Sequence, residues 1–287
     1  MGNFKIFSTF RSRLEKNKRS RNLLMFLRKI GAVNILHFFE DLFRSKKSCD
    51  DFNKFCKDNA EKLKNIFDML DDEKSKRVFE NILRYRASYN RKYLRGIIDG
   101  GQYFDKDIMR FSDDEVMVDC GAYIGDTIEE FVKRNSEYKH IYALEPDNNI
   151  IAFLKENARS AKDRLTIFPV AAWSKKETLS FADDGIGTGH VGRGGGRRIE
   201  ADSIDNLLSG AYVSFIKMDI EGAEMEALTG ACRTIQENKP KLAICIYHKY
   251  EDLYRIPMYV KSLVPEYRIY IRHYSDTPSE TVMYAIT

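Results

Sequence analysis

Val118-Asp119-Cys120-Gly121-Ala122-Tyr123-Ile124-Gly125-Asp126-Thr127 runs from an apolar, β-branched segment through two glycines into a helical pattern. It reads as a strand over 116–119, a glycine turn, and a helix over 127–134. Gly121 and Gly125 let the backbone approach a ligand closely, and a helix N-terminus offers unpaired N–H groups. The dinucleotide fingerprint G-x-G-x-x-G does not fit, because Tyr123 fills the slot of its second glycine. An acid at the strand end, Asp119, suits an ammonium group better than a pyrophosphate.

Downstream, short β-branched runs alternate with helical patterns. Strands are predicted over 140–145, 165–170, 177–181, 214–219 and 241–247, and helices over 148–160 and 225–238. A further helix over 252–264 is expected to break at Pro257. Two last strands, 267–273 and 280–286, are too close for a crossover helix and should form an antiparallel hairpin. This alternation predicts an α/β fold with a mostly parallel, doubly wound sheet, which binds ligands at the carboxyl ends of its strands. Upstream, apolar residues recur at helical spacing over 35–43, at Leu63, Ile66, Phe67 and Leu70, and at Val78, Phe79, Ile82 and Leu83. Asp71 and Asp72 are placed to cap the last of these helices. The expected organisation is a helical region over 1–105 and a ligand-binding domain over 106–287.

The 287 residues suit one or two domains, and 43% hydrophobic with 31% charged residues is a globular composition. Residues 1–105 carry 24 Lys and Arg against 14 Asp and Glu, whereas the remainder carries 23 against 29. A net acidic second half argues against nucleic acid as a partner. The basic cluster within the first 29 positions is read as packing on its own domain or on a second copy in a homodimer, in preference to peripheral contact with an anionic membrane. Leu23–Leu27 is interrupted by Arg28 and Lys29 before a membrane span can form, and no secretory signal is evident. Five cysteines without a CxxC pair indicate reduced thiols, and hence a cytoplasmic protein. The glycine-rich run over 185–196 is an irregular loop, read either as an insertion or as a mobile lid bringing His190, Arg193, Arg197 and Arg198 to a substrate.

Two further motifs join the first. Ile141-Tyr142-Ala143-Leu144-Glu145-Pro146 closes a strand with a carboxylate, where this fold commonly holds the two hydroxyls of an adenosine ribose. Ser214-Phe215-Ile216-Lys217-Met218-Asp219-Ile220-Glu221-Gly222-Ala223-Glu224 crowds four acidic or basic groups around the end of a hydrophobic strand. A carboxylate there faces the ligand cleft and can position or deprotonate a hydroxyl. His248, just past the 241–247 strand, is the other candidate base, ahead of His273.

With Ala171-Ala172-Trp173-Ser174 and Arg272-His273-Tyr274-Ser275, these segments resemble the FkbM family of S-adenosylmethionine-dependent methyltransferases, from about Leu70 to Thr287. Tyr103-Phe104 and the Leu70-Asp71-Asp72-Glu73 patch belong to the same resemblance, and Lys217–Glu224 is its most specific part. The resemblance implies a class I methyltransferase fold with a seven-stranded sheet. It implies that Asp119, Gly121 and Gly125 line the methionine side of S-adenosylmethionine and that Glu145 holds the ribose, with Ala122, Tyr123, Asp126, Thr127 and Pro146 also among the cofactor-binding residues. Ala171 and Ala172 would lie near the adenine or sulfonium, and Asp219 beside the transferred methyl. Catalytic roles fall to Asp219 and His248. The expected reaction is O-methylation, on a sugar hydroxyl of a surface-polysaccharide or natural-product pathway, with a small molecule or glycan as acceptor. Met218-Asp219-Ile220-Glu221 is not the D/N-P-P-Y of base-directed amino methyltransferases. A silent binding protein of the same fold, or a protein or RNA methyltransferase, are the alternatives. Asp219, Glu221, Glu224 and His248 are compatible with Mg²⁺ or Mn²⁺, but no spacing demands a metal and no metal ligand is assigned.

Overall fold

The structure, a computed structural model, describes residues 46–182, 190–191 and 197–287. The basic segment, the 35–43 pattern and, apart from residues 190–191, 197 and 198, the proposed lid therefore lie outside the described residues. Three helices come first: α1 (Lys46–Asp58), α2 (Ala60–Met69) and α3 (Glu73–Ser88). As expected, Asp72 caps α3, its Oδ1 accepting from the Ser75 N–H at 2.6 Å.

The main sheet is built from β1 (Val116–Cys120), β2 (His140–Leu144) and β3 (Leu165–Phe168), and later from β8 (Phe215–Met218), β9 (Lys241–Cys245), β10 (Arg268–His273) and β11 (Thr281–Ile286). Between them run α4 (Asp126–Arg134), α5 (Asn148–Asn157), α6 (Ile204–Leu208), α7 (Glu224–Thr229), α8 (Cys232–Asn238) and α9 (Asp252–Leu263). The strand order is β3-β2-β1-β8-β9-β11-β10. β1 pairs in parallel with both β2 and β8, while β11 runs antiparallel to β9 and β10. Strand order therefore reverses between β1 and β8, and the crevice at their carboxyl ends is where this architecture binds ligands. β1 and β8 are buried along their whole length, as strands covered on both faces must be.

A second, four-stranded sheet was not expected. It comprises β4 (Ala171–Ala172), β5 (Glu177–Ala182), β6 (His190–Val191) and β7 (Arg197–Asp202) in the order β4-β7-β5-β6. β7 reads RRIEAD, and only Ile199, Ala201 and Asp202 of it are buried, so its strand pattern is weak in sequence. Two helix expectations are corrected. The helix over 225–238 divides into α7 and α8 at Gly230, whose carbonyl accepts from the Asp205 N–H at 2.9 Å while the Asp205 carboxylate accepts from the Arg233 and Thr234 N–H groups at the start of α8, at 2.9 and 2.8 Å. α9 continues through Pro257, held by the buried Leu253, Ile256 and Val260 around it.

The helices α2 and α3 share one apolar cluster with the sheet: Leu63, Ile66, Val78 and Ile82 pack with Ile269 and Ile271 of β10. Full burial of such side chains is worth about 1.5–3 kcal/mol each. Polar ties reinforce the contact. The Asp71 N–H donates to Ile269 O at 3.0 Å, and Ser75 Oγ accepts from the Ile271 N–H at 2.9 Å. Arg272, almost fully buried, pairs with Asp72 at 2.7 Å, which joins two patches that were singled out separately in the sequence. No described helix is long and apolar enough to cross a membrane.

Candidate active site

The glycine turn is fixed by lack of space. Gly121 has φ +76°, and a Cβ there would lie 2.1 Å from the Asp219 carbonyl oxygen. The turn from β1 thus packs directly on the turn from β8. Its amides at Gly121 and Ala122 both donate to Leu144 O, at 3.0 and 3.1 Å, which locks it to β2. Gly125, at φ +84°, is the N-cap of α4 and brings no side-chain cap, so the first-turn N–H groups of α4 are left for other acceptors. Asp126 stands exposed at that first turn and Thr127 is half-buried.

Behind the turn, Asp119 is completely buried and pairs with Lys217 on the neighbouring strand, Nζ to Oδ1 at 3.0 Å. Burial pushes the Asp119 carboxyl up, and Lys217 partly reverses the shift. Burial opposes the charge on Lys217, but Asp119 and Asp219 hold its proton above the ordinary lysine value. Lys217 Nζ also donates to Gly121 O at 2.9 Å, so this ammonium ties strand, turn and site together.

Glu145 ends β2 and is 7% exposed. Its Oε2 accepts from the Tyr123 N–H at 3.0 Å and its Oε1 from the Asp147 N–H at 2.8 Å. A carboxylate has about four acceptor sites, so each oxygen keeps one for a hydroxyl. Burial raises its pKa to about 7, against the pull of the two backbone amides. Asp147, two residues on, caps α5 and pairs with Arg197 of the second sheet at 3.1 Å.

Asp219 follows β8. Its Oδ2 accepts from the Tyr103 hydroxyl at 2.8 Å and its Oδ1 from the Tyr247 hydroxyl at 3.0 Å. Burial works against its charge, but His248, Lys217 and the two tyrosines keep its pKa below the usual carboxylate value. Burial, then the Asp219 charge, drives both tyrosines well above the usual range, so they stay protonated donors. His248 lies against three carboxylates: Nδ1 is 3.0 Å from Glu224 Oε1, and Nε2 is 3.4 Å from Glu221 Oε2 and 3.6 Å from Asp219 Oδ1. Burial disfavours its charge, yet Glu224, Glu221 and Asp219 hold its pKa well above 6.5. The three carboxylates thus favour the protonated imidazole over the neutral one. Tyr247 and His248 also line a cleft of about 500 Å³, whose other walls include Ser48 of α1, Arg86 of α3, Lys249 and Tyr250.

Of the residues singled out in the sequence, Asp119, Gly121, Ala122, Tyr123, Gly125, Glu145 and Asp219 converge at the carboxyl ends of β1, β2 and β8, with Pro146 beside Glu145. Ala171 and Ala172 form β4 of the second sheet, paired with Ala201 and Asp202 of β7. His248 joins Asp219, whereas His273 is completely buried with its pKa lowered to about 4 by burial, and its Nδ1 faces Thr281 Oγ1 at 3.0 Å. Sequence reasoning missed Lys217 as a tether, Tyr103 and Tyr247 as donors, and Ser48 and Arg86 as walls. Tyr103 lay in a flagged patch and Tyr247 beside a flagged histidine. Ser48 and Arg86 carried no signal of their own.

Strand order, glycine turn and terminal acids together define a class I methyltransferase scaffold. The chain belongs to the FkbM methyltransferase family: the profile described as the methyltransferase FkbM domain matches residues 119–275. Among solved structures, methyltransferase FkbM from Methylobacillus flagellatus KT superposes with a TM-score of 0.72 at 28% identity, over 82% of this chain and 60% of its own. This chain thus spans about three fifths of that relative's length. Precorrin-6y C5,15-methyltransferase from Geobacter metallireducens GS-15 superposes more loosely, with a TM-score of 0.41 at 12% identity over 61% of this chain and 81% of its own. Aeropyrum pernix fibrillarin in complex with S-adenosyl-L-methionine gives a TM-score of 0.40 at 10% identity, over 63% and 71%. No curated protein sequence matches the chain.

Proposed function

We propose that the protein transfers a methyl group from S-adenosylmethionine to a hydroxyl of a sugar, in the assembly of a surface polysaccharide or a glycosylated natural product. The observation that carries the reading is the pair Tyr247–His248, which belongs both to the Asp219 cluster and to the 500 Å³ cleft. An acceptor in that cleft lies next to the carboxylate at the switch point. Hydroxyl, guanidinium, ammonium and a tyrosine ring in the walls suit a sugar, which presents many hydroxyls and one apolar face.

On the cofactor side, the residues present fit S-adenosylmethionine. The glycine turn admits close approach, Glu145 keeps one acceptor site on each oxygen for the two ribose hydroxyls, and the α4 N-terminus is uncapped. S-adenosylmethionine supplies an activated methyl on a positively charged sulfur. Asp219, held ionised and oriented by Tyr103 and Tyr247, sets a negative charge beside that centre. Methyl transfer is an in-line displacement, so alignment of acceptor and methyl supplies much of the rate. All five cysteines are free, which supports a reducing, cytoplasmic setting.

Calorimetric titration with S-adenosylmethionine, S-adenosylhomocysteine and NAD tests the cofactor, and transfer of a labelled methyl to a panel of free and nucleotide-linked sugars tests the acceptor. Binding of both adenosyl ligands but not NAD, with label on a sugar oxygen, is expected. A protein blind to S-adenosylmethionine overturns the proposal.

A further inference from the structure

The β8–α7 turn holds more acid than the cofactor side uses. One ligand atom each from Asp219, Glu224 and His248 lie within 4.8 Å of one another, and Glu221 Oε2 is 3.4 Å from His248 Nε2. Three carboxylates thus face one imidazole. The nearest ammonium groups are engaged elsewhere: Lys217 on Asp119 and Gly121 O, and Lys249 on Gly222 O.

A second observation concerns satisfaction of buried atoms. The Glu224 side chain is completely buried and that of His248 is 9% exposed. Glu224 Oε2 and both His248 ring nitrogens find no aligned hydrogen-bond partner among the described residues. The imidazole nitrogens sit at ion-pair distance from carboxylate oxygens without donating along a hydrogen-bond direction. A cation, which accepts lone pairs from several directions at once, would satisfy Glu224 Oε2 together with a ring nitrogen of neutral His248.

We propose that Asp219, Glu224 and His248, with Glu221 at the rim, form a binding site for a divalent cation of the Mg²⁺ or Mn²⁺ class. Carboxylate oxygens with one imidazole are the donor set of such hard or borderline ions. The ligands are already oriented from behind: Tyr103 and Tyr247 hold Asp219, and the Ile220 and Gly222 N–H groups hold Glu224 Oε1, at 3.0 and 3.4 Å. Glu221, at φ +56°, is strained for a residue with a side chain, and its carboxylate stays 38% exposed at the rim. His248 opens onto the acceptor cleft, so remaining coordination positions face the acceptor.

The cation's part in catalysis rests on the methyl-transfer reading above, but its binding does not. It lowers the pKa of the acceptor hydroxyl, whose proton leaves to water. The oxygen then takes the methyl as the carbon–sulfur bond breaks, and S-adenosylhomocysteine departs.

The test uses the full chain without S-adenosylmethionine. Mn²⁺ is titrated and followed by the loss of the free-ion electron paramagnetic resonance signal, for wild type, His248→Ala, Glu224→Gln, Glu221→Gln and Tyr247→Phe. One Mn²⁺ per chain is expected, weakened by well over about tenfold in His248→Ala and Glu224→Gln and by about tenfold in Tyr247→Phe. Each variant is also titrated with S-adenosylmethionine, and a variant that loses this as well is discarded as misfolded in favour of the others. No saturable Mn²⁺ binding below about 1 mM, the weak end for carboxylate sites, overturns the site. So does wild-type affinity in folded His248→Ala and Glu221→Gln. If wild type binds Mn²⁺ but not S-adenosylmethionine, the metal site stands and the proposed function falls.

Discussion

The two flanks of the β1–β8 switch point are made of different material. On the β1–β2 flank, backbone does the work: a glycine turn pressed against the Asp219 carbonyl, amides locked on Leu144, and Glu145 held by two N–H groups. On the β8–β9 flank, side chains do it. Asp219 is held by hydroxyls from residues 103 and 247, and the Tyr247–His248 cleft takes walls from α1 and α3. The difference teaches that an invariant ligand can be met by fixed backbone, whereas a variable acceptor is met by parts that can change singly.

The largest expected effect is on the backbone flank. Gly121→Ala forces a Cβ onto the Asp219 carbonyl in a left-handed conformation, and should cost about 3 kcal/mol of stability in urea denaturation. Gly125→Ala, whose tightest contact is the flexible end of the Leu154 side chain at 2.8 Å, should cost less, and an equal loss would break the contrast. Next, Asp219→Asn should lower turnover by about 10²-fold while the S-adenosylmethionine dissociation constant changes little. Wild-type turnover would remove Asp219 from the reacting centre. Glu145→Ala leaves two ribose hydroxyls without an acceptor and should weaken S-adenosylmethionine binding by about tenfold or more, read by calorimetry.

A pH series sharpens the same flank. Glu145 has a folded pKa of about 7, above its ordinary 4.5. Its charged form is therefore disfavoured in the ligand-free fold, so its contribution to stability is most favourable below pH 4.5 and is lost as pH rises through 7. Ribose hydroxyls favour the ionised form, so affinity for S-adenosylmethionine should rise several-fold between about pH 6 and 8. Glu145→Gln should flatten that rise. The smallest effect belongs to the acceptor wall: Ser48→Trp should raise the acceptor KM a few-fold and leave cofactor affinity unchanged. A parallel loss of cofactor affinity would show that the two flanks are not separable.

The same contrast explains how much was legible in the sequence. The glycine turn, Glu145 and Asp219 were visible because backbone geometry dictates residue type within a few positions of a strand end. The alternation of strands and helices followed from the alternating periods, and the seven-stranded sheet from the family resemblance. The split of α7 from α8 was not visible, because the Asp205 groups that bind at the break lie 25 residues before Gly230 in the chain and meet it only after folding. Pro257 misled in the opposite direction, since packing held a helix that local propensity would break. The second sheet was missed because its charged strand β7 buries little. Tyr103 reaches Asp219 across 116 positions, and nothing local marks such a pairing.

The outer edge of the main sheet is covered by the helix that precedes it. β10 is the terminal strand of the main sheet, and its outward N–H and C=O groups would ordinarily recruit a strand from another molecule. Here Asp71, Ser75 and Asp99 take up the groups of Ile269, Ile271 and His273, and α3 lies over them. α3 thus covers a sheet edge as well as helping to wall the Tyr247–His248 cleft. A chain begun at residue 106 would bare an apolar ribbon of IYI, and aggregation, more than loss of catalytic groups, would be its fate.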